Sequence, residues 1–181
     1  MFTVSIKSKQ KNPHAYEQLK KRLEKISEKK VVAGFPKGKL NNPHYEGEDG
    51  KGPGPSIIDV AIWNNFGIGV PRRDFMTPAS KEWKEYFDKM VELAKEALID
   101  GTQDIDEFLN LMGSQGAEFI SDAIIKLKTP PNAYVTIHGG WIKTKSGKWK
   151  KIKGKNGKNN PLVDSGDLSK APTYELRRKE K

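Results

Sequence analysis

Residues 141–158 (WIKTKSGKWKKIKGKNGK) combine lysine and tryptophan in a pattern typical of polyanion binding. No acidic residue lies among them. Lysine ammonium groups can neutralise phosphates, and indole rings can stack on bases or pack against a protein. The segment therefore predicts an arm that contacts DNA or the acidic surface of a neighbouring subunit, with a solvated basic loop as the alternative. Its candidate contacts are Trp141, Lys143, Lys145, Lys148, Trp149, Lys150, Lys151 and Lys153.

The dipeptide Ser146-Gly147 within this arm predicts a β-hairpin with a two-residue loop. Pairing about that loop would set Thr144 opposite Trp149 on one face and Trp141 opposite Ile152 on the other. Neither face would then be cleanly apolar. We therefore expect the arm to be mobile until its lysines and aromatic side chains meet a partner.

A second group of candidate contacts lies at residues 67–78 (GIGVPRRDFMTP). The prolines of this segment restrict its backbone, and Arg72 and Arg73 stay charged at any accessible pH. One interpretation is a rigid loop that presents Arg72, Arg73 and Phe75 to another subunit or to a phosphate. The other is a connector in which Phe75 enters the core while both arginines are solvated.

Residues 162–166 (LVDSG) provide the strongest argument for an enzyme. Two apolar residues before Asp-Ser-Gly resemble the active loop of aspartic proteases, where two aspartates share a proton. Because the chain carries one copy, such an enzyme would be a homodimer using Asp164 of each chain. That fold is almost wholly β, whereas the patterns of this chain are largely helical. We therefore predict no catalytic residues.

Metal and cofactor sites are not predicted either. The chain has no cysteine, and the spacing of His44, Glu46, Glu48 and Asp49 matches no metal-ligand motif. The 181 residues carry a net charge of +10, which suits a polyanion or an acidic protein surface. The amino terminus lacks the apolar core of a signal peptide, and no apolar run could span a bilayer. These features predict a soluble protein made in the cytosol, with no membrane partner.

Periodicity predicts the elements that must position these groups. We expect strands at 2–6, 30–35 and 171–178, and helices at 13–26, 56–66, 77–100 and 104–127. Ser56, Thr77 and either Thr102 or Asp104 are the predicted helix caps, and Gly67 and Gly101 the predicted helix ends. The predicted fold is α+β, with a small mixed or antiparallel sheet packed against two long amphipathic helices. Residues 1–140 and 159–181 form the domain, 36–55 a mobile loop, and 141–158 the hairpin arm.

The second long helix has the clearest apolar stripe, so Phe108, Phe119 and Ile120 are predicted to be buried between the helices and the sheet. Gly113 and Gly116 interrupt that stripe. Each glycine costs about 1 kcal/mol relative to alanine within a helix. We expect this cost to be offset by the close approach of another backbone.

Five segments of the chain, in order, resemble successive motifs of one protein family. They are 30–36 (KVVAGFP), 57–67 (IIDVAIWNNFG), 70–78 (VPRRDFMTP), 130–137 (PPNAYVTI) and 161–176 (PLVDSGDLSKAPTYEL). The family is that of small tailed-phage virion proteins, the tail-completion or neck proteins of the head–tail junction. Its usual patterns are a VGIP-like strand end, A-x-x-x-E-F/H-G, IPxRPF, PPL…TI and PLVDTGxLxxSI-Y-V. The chain departs from these patterns at Asn64, Asn65, Asp74 and Ala171-Pro172, and its basic hairpin is longer than the typical linker.

The resemblance implies an α+β subunit of a sixfold or twelvefold ring, without catalysis. Such a ring would join the portal or connector proteins to the tail tube or terminator, around the packaged DNA. The protein would be made in the cytoplasm of the bacterial host and reside in the virion. The alternatives are a non-enzymatic nucleic-acid-binding protein and the homodimeric protease that would use Asp164.

Overall fold

The computed structural model describes residues 13–36, 54–144, 146–155, 159–163 and 165–178. The predicted strand at 2–6 and most of the predicted loop at 36–55 lie outside these ranges. The helices are α1 (Pro13–Ser27), α2 (Ile57–Phe66), α3 (Met76–Asp100), α4 (Ile105–Lys126), α5 (Tyr134–His138) and α6 (Asp167–Lys170). The strands are β1 (Lys29–Gly34), β2 (Gly140–Lys143), β3 (Trp149–Ile152) and β4 (Thr173–Arg178). Together they confirm the predicted α+β fold.

The two long helices α3 and α4 pack against each other in antiparallel directions. Ala79, near the start of α3, shares a buried cluster with Ile120 and Ile124 near the end of α4. At the other end of the pair, Leu98 of α3 packs with Ile105 of α4. The short connection at 101–104 makes this return possible, and each cluster buries the apolar stripes of both helices.

The β1–β4 sheet and α3 both pack on α4, and their side chains explain the two glycines of that helix. Val31 pairs with Leu176 and Ala33 with Tyr174, so these four alternate residues share one face of the antiparallel sheet. An added Cβ at Gly113 would lie 2.3 Å from the Tyr174 ring, and one at Gly116 would lie 2.6 Å from the Trp83 ring. The close approach was predicted, but it is made by side chains rather than by another backbone.

Local capping matches the sequence at most helix ends. Ser56 and Asp59 form a reciprocal capping box at the start of α2, and Gly67 ends that helix in the left-handed region with φ of 77°. Asp104 caps α4 by accepting hydrogen bonds from the N–H groups of Asp106 and Glu107. The predicted cap of α3 at Thr77 is corrected: the helix begins at Met76, after Phe75, and the Asp74 carboxylate accepts a hydrogen bond from the Thr77 N–H at 3.0 Å. The carboxylate also accepts from the Thr77 hydroxyl, which favours Asp74 over a lone threonine.

The predicted core of α4 is confirmed at Phe108 and Ile120, which are both buried. Phe119 is only partly buried, and its ring contacts Tyr86 edge-on at a centroid distance of 5.8 Å. Helix α1 packs less closely on the rest of the fold, since its apolar residues Tyr16 and Leu23 are about half exposed. The helix is held instead by polar contacts, including the hydrogen bond from Arg22 Nη1 to the Ile99 carbonyl at 2.7 Å.

Candidate functional site

The loop between α2 and α3 holds the two predicted contact arginines in opposite environments. Arg72 is exposed and pairs with Asp74 at 2.7 Å. Arg73 is 7% exposed, and its guanidinium donates to Asn64 Oδ1 at 3.0 Å and to the carbonyls of Pro130 and Pro131 at 3.2 and 3.3 Å. Burial lowers the pKa of Arg73, but the three acceptors compensate for the lost hydration and the side chain stays charged.

Phe75 lies two residues further along and is completely buried. Its ring contacts Phe35 edge-on at a centroid distance of 6.1 Å, and it belongs to the cluster that includes Leu162 and Leu168. The prediction that Arg73 and Phe75 contact a partner is therefore corrected. Both side chains hold segments of the same subunit together, because each finds its acceptors or apolar neighbours inside the fold.

Two asparagines at the end of α2 complete this arrangement, and the sequence analysis gave them no role. Asn64 accepts from Arg73 and also donates to the Val60 carbonyl at 2.9 Å. Asn65 is buried and accepts from the N–H of Met76, the first residue of α3, at 3.1 Å. Polar residues that end an otherwise apolar helix just before a glycine were the available signal.

The end of α2 and the loop after it carry exposed apolar side chains, which we call the 62–70 surface. Phe66 is 66% exposed, and its exposed neighbours along the chain are Ile62, Trp63, Ile68 and Val70. Helix α2 is apolar on nearly every side, which is typical of a helix buried all round. Here only one side faces the core, at Ala61 and Asn65. Exposed apolar side chains that lie this close along the chain make the 62–70 surface a candidate for protein contact.

The basic hairpin is present, but its register differs from the prediction by one residue. Lys143 pairs with Trp149, and Trp141 pairs with Lys151. Thr144 N donates to the Lys148 carbonyl at 2.8 Å, and Gly147 N donates to the Thr144 carbonyl at 2.9 Å. Gly147 has φ of 81°, as expected at the end of a three-residue hairpin loop. Because side chains alternate along a strand, the shift of one residue moves one tryptophan to the other face.

The observed register places both tryptophans on one face of the hairpin. Trp141 is 61% exposed and Trp149 is 66% exposed, and the exposed Lys143 and Lys151 lie beside them. We call these four residues the Trp–Lys face. The predicted placement of the two tryptophans on opposite faces is thus corrected, whereas neither face is cleanly apolar, as predicted, because Lys150 lies opposite Ile142 on the other face. Lys145, another predicted contact, lies outside the described residues, and Lys148, Lys150 and Lys153 are exposed.

The opposite face of the hairpin contains Ile142 and Ile152, which are partly buried. Gly140 shares that face, and a Cβ added there would lie 3.1 Å from a methyl group of Val135 in α5. The base of the hairpin is tied to the same helix, since Lys155 N donates to the Thr136 carbonyl at 3.1 Å. Helix α5 therefore supports one side of the hairpin and leaves the Trp–Lys face open.

The segment that resembles a protease loop can be described only in part. Asp164 lies outside the described residues. The Ser165 hydroxyl donates to the Asp167 carboxylate, and Ser169 donates to the Gly166 carbonyl at 2.9 Å at the start of α6. The Asp167 N–H also donates to the Ser165 hydroxyl at 3.4 Å, so these are local contacts between residues at and just before the start of α6.

Metal-binding groups and grooves are the other features of the described residues that bear on binding. None of their His, Asp and Glu side chains form a group of three or more that could hold a metal ion. A groove of about 450 Å³ lies between β1, α3 and α4, with Trp83, Phe87 and Leu109 in its wall and Lys29 and Lys84 among its lining residues. In the parts of the chain that the structure describes, no helix is both long and apolar enough to cross a membrane.

Comparison with known proteins adds no relative. No family model, no curated protein and no solved structure matches the chain significantly.

Proposed function

We propose that this protein is a structural ring subunit of the head–tail junction of a tailed phage, in the neck or at the top of the tail. The observation that carries the proposal is the convergence of the five motif segments on one core. The Arg73 guanidinium joins 70–78 to 57–67 and to 130–137 through Asn64, Pro130 and Pro131. Segments 30–36 and 161–176 reach the same core through Phe35 and Leu162.

This convergence supports the proposal because a chance match of short motifs has no reason to meet in space. The side chains of Arg73 and Phe75 hold the subunit together. This gives a structural reason for the arginine and the aromatic residue that stand two residues apart in the family pattern IPxRPF. Asn65 stands at the position that is commonly acidic in the family pattern and accepts from the Met76 N–H, while the preceding Asn64 offers a neutral amide oxygen to the guanidinium. A hydrogen bond to a charged donor of this kind contributes about 1.5–3 kcal/mol.

A ring subunit also needs surfaces for its neighbours. The 62–70 surface offers exposed apolar side chains beside the exposed Arg72, which is the mixture typical of protein interfaces. We propose that this surface contacts the adjacent subunit in a sixfold or twelvefold ring. The portal or connector would bind one side of the ring, and the tail tube or terminator the other, with positive charge available to the DNA in the channel.

The proposal is tested by electron microscopy of phage particles that carry a label at the carboxyl terminus of this chain. We expect the label at the head–tail junction, repeated around the particle axis. A label distributed through the capsid, or absent from purified particles, would contradict the proposal.

The contact surface is tested separately by Phe66→Asp, with Leu93→Asp as the matched control. Leu93 is 78% exposed on α3 and lies outside the 62–70 surface. We expect Phe66→Asp to leave a folded subunit that no longer enters particles, because a carboxylate in an apolar contact loses hydration without gaining a partner. Leu93→Asp should be incorporated like the parent. Equal incorporation of both variants would remove the 62–70 surface from the proposed ring contact.

The protease alternative has its own test, in which Asp164→Asn is compared with the parent on unfolded protein substrates. We expect no cleavage by either chain. If the parent cleaved these substrates and Asp164→Asn did not, the protein would have an enzymatic role instead of the proposed structural one.

A further inference from the structure

We propose that the Trp–Lys face of the hairpin binds single-stranded nucleic acid, with bases stacked on Trp141 and Trp149 and phosphates held by Lys143 and Lys151. The inference rests on the hairpin alone and does not require the chain to be a phage ring subunit. The proposed binding involves more than attraction between lysines and phosphates, because the two indole rings would stack on unpaired bases.

The register of the hairpin provides the geometry. Trp141 and Trp149 lie on one face but are not direct partners, since each is opposite a lysine. Diagonal neighbours of this kind have Cα atoms about 7–8 Å apart on an antiparallel ribbon. Stacked nucleotides of one strand rise about 3.4 Å each. The two indoles are thus spaced for bases about two nucleotides apart, with a lysine beside each ring.

The composition of the hairpin favours a nucleic acid over a protein partner. Residues 139–163 contain neither arginine nor an acidic residue, so the arm offers no guanidinium fork for carboxylates and no anion for basic partners. Lysine is depleted in protein–protein interfaces, whereas ammonium groups readily follow a phosphate backbone. The large exposed indoles add the stacking surface that single-strand binding proteins combine with such charge.

The exposed indoles also favour a single strand over a duplex. The faces of paired bases are covered by their neighbours in a stacked duplex, so a ring on a protein surface meets only backbone and groove edges. Unpaired bases have free faces that stack on aromatic rings with little sequence preference. Helix α5 supports the reverse side of the hairpin through Val135 and Thr136, so the face is formed before a ligand arrives.

The test measures the affinity of the full chain for three fluorescein-labelled probes by anisotropy. The probes are a 12-nucleotide oligothymidylate, an abasic strand of the same length, and a 12-base-pair duplex. The abasic strand retains the phosphates and lacks the bases, so it isolates the contribution of stacking. We expect the oligothymidylate to bind more tightly than both other probes. Trp141→Ala and Trp149→Ala should each weaken its binding about 5- to 100-fold and leave binding of the abasic strand unchanged.

Matched variants separate stacking from charge and from general surface effects. Trp149→Phe retains an aromatic face and should preserve most of the affinity, and Tyr16→Ala removes an exposed ring elsewhere and should change nothing. Lys143→Ser and Lys151→Ser should each reduce the slope of log affinity against log salt by about 0.7. Lys150→Ser, on the opposite face, should reduce the slope less.

Several results would overturn the proposal. Equal affinity for the oligothymidylate and the abasic strand would show that phosphates alone are bound. If the duplex bound more tightly and neither tryptophan variant changed this, the hairpin would contact the phosphate backbone of the duplex and not unpaired bases. If the chain did not bind the oligothymidylate even at low salt, the Trp–Lys face would not be a binding site for single-stranded nucleic acid. Binding of polyglutamate with the same dependence on Trp141 and Trp149 would assign the face to an acidic protein.

Discussion

Arg73 Nη1 donates a 3.0 Å hydrogen bond to Asn64 Oδ1, nine residues earlier in the chain. The same guanidinium reaches two proline carbonyls more than fifty residues later. The Arg73 guanidinium therefore connects α2 to the loop that follows it and also to the distant segment at 130–131. The adjacent Arg72 is exposed, and its ion pair among the described residues is with Asp74. Arg73 therefore holds segments of the subunit together, whereas Arg72 is exposed at its surface.

Replacement of Arg73 should be costly, while replacement of Arg72 should not. Arg73→Ala leaves buried carbonyl and amide acceptors without a donor, so we expect the free energy of unfolding to fall by about 3 kcal/mol or more. Arg72→Ala removes an exposed ion pair, and its effect should stay within about 1 kcal/mol. Urea unfolding of both variants measures the difference. Similar midpoints for the two variants would contradict the role assigned to Arg73.

The glycines of α4 give a second prediction. Gly113→Ala places a methyl group 2.3 Å from the Tyr174 ring, so overpacking should destabilise the protein by about 1–3 kcal/mol despite alanine's higher helix propensity. Ser114→Ala, exposed on the same helix, should change stability by less than about 0.5 kcal/mol. The penalty of Gly113→Ala should shrink when Tyr174→Ala is also present, as a double-mutant cycle would reveal. A penalty unchanged by Tyr174→Ala would place its cause elsewhere.

Acid should destabilise the fold through aspartates at helix starts. The Thr77 N–H lowers the pKa of Asp74 below the ordinary 3.8, and the Ser56 hydroxyl does the same for Asp59. A hydrogen bond from Lys29 likewise lowers the pKa of Asp106, which also pairs with Lys25 at 3.3 Å. Each pKa is lower in the folded than in the unfolded chain, so the unfolded chain binds more protons in this range.

Stability should therefore be fully present above the unfolded pKa near 4 and decline as pH falls through the lower folded values. Urea midpoints measured between pH 6 and pH 2 should show this decline. Asp74→Asn should lower the midpoint at pH 6 and reduce its dependence on pH below 4. A midpoint that stays constant or rises on acidification would contradict the assignment.

The lysines of the hairpin should matter to assembly more than to folding. Replacement of Lys148, Lys150, Lys151 and Lys153 by serine should leave the melting temperature of the isolated subunit within a few degrees of the parent, because all four are exposed. Incorporation into particles should weaken, and the defect should grow with salt, since screening acts on the charges that remain. Particles formed in normal yield, with DNA retained at every salt concentration, would show that these lysines are only solvated.

The sequence by itself determined the features that depend on neighbours along the chain. The capping box of Ser56 and Asp59, the cap at Asp104 and the glycine ends at Gly67 and Gly101 join residues a few positions apart. Hydrophobic periodicity determined the long helices and the α+β class for the same reason, because it records which side of each helix meets the core. The hairpin was also foreseen from its turn residues and its composition.

Only the tertiary structure decided the features that depend on distant segments. The acceptors of Arg73 lie on α2 and beyond α4, so nothing local distinguished its environment from that of Arg72. Gly113 meets a ring from β4, sixty-one positions later, which no pattern within α4 could identify. The register of the hairpin depended on one extra loop residue and on support from α5. That single shift put Trp141 and Trp149 on the same face, because side chains alternate along a strand.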